Sequence, residues 1–186
     1  MAIKDLPSLD LLRQLIQYDP NTGEAYWRPR TPDMFIDGKY SKHRKAASWN
    51  RKHADKPAGS LKKDGYLTIR IDGKKYQLHR ILYSIYFDEC LEPNQEIDHK
   101  NGNPSDNKII NLRKATRTQQ IMNTKTIDKS ISGCKGVAFD KESFKWHSRI
   151  VVDGKTISLG RFTDKLKAIA ARKDAEQKYH GEFARV

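Results

Sequence analysis

Glu96-Ile97-Asp98-His99-Lys100-Asn101-Gly102-Asn103-Pro104-Ser105-Asp106-Asn107, continuing through Lys108-Ile109-Ile110-Asn111-Leu112-Arg113 to Asn123, decides how this chain is read. A short extended run ends in an acid beside an imidazole, Asp98-His99. Asn101-Gly102-Asn103-Pro104 comes next, a cluster of residues that tolerate φ > 0 or preset a turn. From Thr116 the polar segment reads as a helix. The stretch is therefore a strand, a loop and a helix over one small polar site. A carboxylate oxygen suits a hard cation such as Mg²⁺, and a neutral imidazole can take a proton from water near pH 7.

Working outward, the chain has 186 residues and a formal net charge of +13. That is room for one medium or two small domains, with a surplus that favours polyanions through counterion release. Composition alone is equally compatible with an RNA-binding protein. Cys90 and Cys134 are the only cysteines, so neither a disulfide framework nor a cysteine-based zinc site is indicated. No apolar run reaches membrane-spanning length and Met1-Ala2-Ile3-Lys4-Asp5 lacks the apolar core of a signal peptide. The expectation is a soluble, cytoplasmic protein.

Upstream, Ser8 is placed to cap a helix carrying Leu11, Leu12, Leu15 and Ile16. Asp19-Pro20-Asn21-Thr22-Gly23 ends it in a turn, and Glu24 to Arg28 reads as a strand. Residues 29–56 are polar and basic, with Tyr40 and Trp49 interspersed, and read as a long loop. A nucleic-acid contact and a solvated surface are equally good accounts of it. Tyr66 to Ile71 and Lys75 to His79 flank Asp72-Gly73 as a hairpin. Arg80 to Phe87 is a short helix with Ile81, Leu82, Ile85 and Tyr86 inward. His79 is read as a packing residue at the strand–helix junction rather than as a second catalytic histidine.

Downstream, Lys125 to Ser132 reads as a linker. Lys135 to Asp140, Lys145 to Val152 and Lys155 to Phe162 alternate as three strands, the last two joined at Asp153-Gly154. Thr163 or Asp164 can cap a helix carrying Leu166, Ile169, Ala170, Arg172, Ala175 and Tyr179, which Gly181 ends. Alternation directs Val137, Phe139, Trp146, Ile150, Val152, Ile157 and Leu159 toward the helix. Ala138, His147, Arg149, Val151, Thr156 and Ser158 then face outward, where a twisted sheet can enter the major groove.

The run Asp98-His99, Asn101-Gly102-Asn103, Asp106-Asn107, Asn111-Leu112-Arg113, Thr116 resembles the HNH (ββα-metal) nucleases, in the form of phage and intron-encoded homing endonucleases. Tyr18-Asp19-Pro20-Asn21-Thr22-Gly23 with Trp27, and the hairpin before Asp98, are similar to what usually precedes that site. The resemblance implies that His99 is the general base, Asp98 a ligand of one divalent ion (Mg²⁺ or Mn²⁺), and Asn111 the residue that ties down the loop. The second ligand falls twenty-two positions after the acid, at Gln120, where the family has Asn or His. Asn123, one turn on, is the alternative. The departure is compatible, in this order, with an active enzyme bearing an altered ligand, a weakened one, or an inactive form.

Residues 133–186, through Ser132-Gly133-Cys134-Lys135-Gly136-Val137, Lys145-Trp146 and Leu159-Gly160-Arg161-Phe162, look like the plant Apetala-two (ethylene-response-factor) DNA-binding domain. The DNA contacts expected there are Lys135, His147, Arg149, Thr156, Ser158 and Arg161. The fold expected is α+β: small antiparallel hairpins and a ββα-metal module, then a three-stranded antiparallel sheet packed on one helix. The domains expected are 1–125 (nuclease core about 59–125), a linker at 126–132, and 133–186. The function implied is a metal-dependent, site-specific endonuclease acting on double-stranded DNA, with no obligatory protein partner, in a phage or its bacterial host. The alternative is a catalytically weak or inactive DNA-binding regulator on the same fold.

Overall fold

The computed structural model describes residues 5–92, 95–116, 119–120, 131–152 and 154–183. Asn123, Asp153 and all but Ile131 and Ser132 of the expected linker lie outside them. The chain divides into two compact units, Met1–Lys114 and Ala115–Val186. The architecture is α+β, with small antiparallel sheets in both units.

The first unit begins with helix α1 (Leu9–Leu15), whose Ser8 hydroxyl accepts from the Leu11 N–H. Ile16, expected on that helix, instead opens strand β1 (Ile16–Tyr18), because the chain turns directly into a pair with β2 (Ala25–Trp27). The basic segment expected to be a loop contains helix α2 (Lys42–His53), capped by the Ser41 hydroxyl on the Arg44 N–H. With only Ala46 fully buried on it, α2 lacks the apolar periodicity by which helices are recognised in sequence.

Strands β3 (Ser60–Leu61), β4 (Leu67–Ile71) and β5 (Lys74–Gln77) form an antiparallel sheet in that order. Helix α3 (Leu78–Phe87) starts without an intervening loop, so Leu78 and His79 are helical rather than the end of the hairpin. Leu78, Ile81 and Leu82 are fully covered and pack with Leu12, Ile16, Ile69 and Ile71 in the main core. Tyr86, expected inward, is 50% exposed, because the buried face continues through Ser84 and Ile85 instead. A smaller cluster, Tyr83, Leu91, Ile97 and Leu112, underlies the two-stranded sheet of β6 (Glu96–His99) and β7 (Leu112–Ala115).

In the second unit β8 (Val137–Asp140), β9 (Lys145–Val152) and β10 (Lys155–Phe162) form an antiparallel meander. Helix α4 (Lys165–His180) packs on it, capped by the Asp164 carboxylate on the Leu166 N–H. Val137, Ser148, Ile150, Ala168 and Ala175 are buried between them. Phe139, expected against the helix, is 39% exposed, since it sits at the sheet end beside the Trp146 ring. Leu166 is exposed at the first turn of α4. Gly136, at φ +78°, permits the close approach that seats β9: a Cβ there would lie 2.3 Å from the Arg149 carbonyl oxygen.

Candidate active site

β6 delivers Asp98 and His99 to the start of a loop, and β7 brings the chain back beside them. The loop is a lattice of asparagines. The Asn111 side-chain oxygen accepts from the Asn101 N–H at 2.9 Å. Its amide nitrogen donates to the Asn101 side chain at 3.1 Å and to the Asp106 carbonyl at 2.8 Å. The Lys100 N–H donates to the Asn111 carbonyl at 2.8 Å. Asn111 therefore closes both ends of the loop, as an amide with a donor and an acceptor on one group allows.

His99 is 3% exposed. Its Nε2 lies 3.1 Å from the Asn107 side-chain oxygen, and Asn107 is 1% exposed. Where that oxygen accepts, Nε2 carries the ring proton. Burial pulls the His99 pKa below its ordinary value of 6.5, opposed by the Asn107 hydrogen bond and by Asp98. The imidazole is consequently neutral at pH 7. His79 stacks edgewise on it with centroids 4.9 Å apart, and Tyr66 lies 5.9 Å away. Burial and the neighbouring His99 hold His79 well below 6.5, so it contributes a neutral, packed wall.

Asp98 is met by Arg113: Nε and a terminal nitrogen approach one carboxylate oxygen at 3.1 and 2.9 Å, with side chains 12% and 9% exposed. Both donors converge on one oxygen, so the carboxylate is held by charge-assisted hydrogen bonds. Arg113 and Asn107 both stand inside the quoted stretch, yet the sequence alone gives neither a role. The one signal there was that both residues stand in the run that resembles the HNH nucleases.

The turn at residues 19–23 is built into the same site. The Tyr18 hydroxyl donates to the Asn107 carbonyl at 2.8 Å, and the Ile109 N–H to the Pro20 carbonyl at 3.0 Å. Gly23, at φ +80°, passes so close that a Cβ would stand 2.6 Å from the Lys108 nitrogen and 2.7 Å from the Asn107 carbonyl carbon. The opening turn thus backs the residue that holds His99.

Gln120 is in the second unit, where its N–H donates to the Thr116 carbonyl at 3.0 Å; Asn123 lies outside the described residues. A carboxylate and an amide are each oxygen donors of the kind a hard divalent ion takes. Among the described residues no three His, Cys, Asp or Glu side chains cluster, so a closed zinc site of such ligands is absent there.

On the sheet of the second unit, register pairs His147 with Arg161, Arg149 with Ser158 and Val151 with Thr156. Cross-strand partners share a face, so these side chains form one row. Parity alone would turn Arg161 away from Ser158; the register shift between Ser158 and Gly160 restores it. His147 Nε2 and the Ser158 hydroxyl are 3.1 Å apart. Lys135 stands before β8, half-buried, with burial lowering its pKa, and its carbonyl accepts from Arg172.

Comparison with known proteins bears on the same stretch. A model of the HNH endonuclease family matches residues 76–122. Protein 3.8 of Escherichia phage T7 is 35% identical over 89 residues, 48% of this chain and 73% of that protein. DNA endonuclease I-HmuI of Bacillus phage SP01 is 33% identical over 92 residues, 45% of this chain and 52% of that one. This chain thus spans about half of the latter's length. A solved structure titled "DNA binding and cleavage by the HNH homing endonuclease I-HmuI" aligns with a TM-score of 0.39 at 25% identity, covering 63% of this chain and 55% of that chain. No helix among the described residues is long and apolar enough to cross a membrane.

Proposed function

Since this chain belongs to the family of phage T7 Protein 3.8 and carries an HNH endonuclease domain, we propose that it is a metal-dependent, site-specific endonuclease acting on double-stranded DNA. The observation that carries this reading is His99, buried, neutral and oriented through Nε2 by Asn107, on the residue next to Asp98. His99 takes a proton from water as the water oxygen bonds to phosphorus and the bond to the 3′ oxygen breaks. Asp98 and Gln120 (or Asn123) would hold Mg²⁺ or Mn²⁺. Bound there, the ion supplies charge to the leaving oxygen and the phosphoryl oxygens. Arg113 orients the Asp98 carboxylate, and Asn111 keeps the loop closed so that the base does not drift.

The domain assignment proposed is a nuclease within 1–125, a linker at 126–132, and an Apetala-two-like DNA-binding domain at 133–186. There the row of His147, Arg149, Thr156, Ser158 and Arg161, with Lys135 before it, meets the duplex, phosphate contacts supplying affinity and base edges specificity. The setting proposed is the interior of a phage-infected cell. A second reading, a DNA-binding regulator with little or no cutting, is favoured by one feature: Arg113 already meets the Asp98 charge.

Supercoiled plasmid, incubated with and without Mg²⁺ or Mn²⁺, separates the two. The endonuclease reading expects metal-dependent nicking that disappears in His99→Ala and quickens in Gln120→Asn. Binding without cutting under either metal, unrescued by Gln120→Asn, leaves the regulator.

A further inference from the structure

In the first unit, Trp27, Arg30, Trp49, His53, Arg70 and Asp72 line a cleft of about 500 Å³, bounded by β2, α2 and β4. It shares no residue with the surroundings of His99. Its size lies within the roughly 300–1,000 Å³ of small-molecule sites. The walls are aromatic: Trp27 meets Trp49 edge to face at 5.5 Å, and Trp49 meets the His53 ring at 5.1 Å. The Arg30 guanidinium lies 4.1 Å over Trp49 and 5.4 Å from Trp27. Its backbone is clamped on both sides by the Asn50 amide, at 2.8 and 3.0 Å.

This arginine is held in place but poorly compensated. Its Nε is buried with no hydrogen-bond acceptor, and burial lowers its pKa, with only Asp72 acting through space in the other direction. A buried donor on a cation is costly unless an acceptor reaches it. An anion rich in oxygen matches the guanidinium fork best. The rim adds Arg70, and α2, which contributes Trp49 and His53 to the lining, carries Arg51 and Lys52 between them. A bare anion would leave the tryptophan walls unused; a base attached to a phosphate uses both.

We propose that this cleft binds a single nucleotide unit, its phosphate on Arg30 and Arg70 and its base against Trp27, Trp49 and His53. The nucleotide comes either from an unpaired strand or from the free pool. The site goes beyond the cleavage reaction and requires no metal. The test is a fluorescence titration of the full chain carrying Trp146→Phe, which leaves Trp27 and Trp49 as the emitters. The probes, without metal, are 5′-phosphorylated oligothymidylate, thymidine 5′-monophosphate and inorganic phosphate.

Saturable quenching by oligothymidylate alone assigns the site to a strand; equal quenching by the mononucleotide assigns it to free nucleotide. Arg30→Met and the surface change Arg70→Gln, each checked for an unchanged melting temperature, are expected to weaken binding on the order of tenfold. The proposal is overturned by an absence of saturable quenching. It is equally overturned if both variants bind as tightly as the parent, or if inorganic phosphate binds as well as the nucleotides. Plasmid cutting is read separately, so failure here leaves the cleavage reading standing.

Discussion

Replacing Asn107 by alanine should slow cutting and, at the same time, move its acid limb to lower pH. The substitution removes the side-chain oxygen that stands 3.1 Å from His99 Nε2, while keeping the backbone carbonyl that receives the Tyr18 hydroxyl. Losing the acceptor for a buried donor costs about 1–3 kcal/mol of stability. It also releases the ring tautomer, for which a loss of roughly 10–100-fold in rate is typical of such orienting partners. The sign of the pH effect comes from the same bond. A base works in its neutral form, so the rate rises as pH passes upward through the His99 pKa. Burial lowers that pKa and the Asn107 bond raises it; without the bond it falls further. The assay is initial nicking rate from pH 5 to 8.5 at saturating metal, for the parent and Asn107→Ala, below the variant's melting temperature. A rate within twofold of the parent, or an acid limb displaced upward, refutes the assignment of Asn107 as the partner that orients the base.

Arg113→Met takes the guanidinium away from the nearly buried Asp98 carboxylate and should cost about 3 kcal/mol in urea unfolding of the first unit, with Asp98→Asn recovering part of it in the double variant. His79 and His99 both have pKa values below the unfolded value of 6.5, so the unfolded chain binds protons first. Thermal stability should therefore be full above pH 7 and fall as pH drops below about 6.5, and His79→Leu should flatten that fall. Gly136→Ala forces a Cβ to 2.3 Å from a carbonyl oxygen at positive φ and should destabilise the second unit by more than about 2 kcal/mol, read as a lowered melting temperature.

Period-two and turn signals made the hairpin at Asp72-Gly73 and the three-strand meander with its helix readable from sequence. Ser8 and Asp164 were readable as caps because each stands directly before a helix that uses its side chain. Helix α2 was not, since its partners are aromatic stacking and one alanine rather than an apolar stripe. Strands β1, β3 and β7 are only three, two and four residues long, too short for period-two alternation to register. At the site, the pair Asp98-His99 stands out by residue type, and Asn111 only through the resemblance of the whole stretch to the HNH nucleases. Arg113 and Asn107 act through other side chains, and such roles become visible only once the loop closes. Arg161 shares the row of Ser158 only through a bulge that alternation cannot anticipate.

The docking of the 19–23 turn against Asn107 and Lys108 bears on what could be transplanted between proteins. Asp98, His99 and Asn111 occupy a short contiguous stretch, which invites cutting at Gly59 and grafting only the chain downstream of it. A graft so made would leave behind Tyr18, Pro20 and Gly23, and with them the surface against which the Asn107 backbone is braced. The smallest exchangeable piece of the first unit therefore starts at α1. Recombination within the chain between residues 23 and 107 should be tolerated only when both parents bring matching turns.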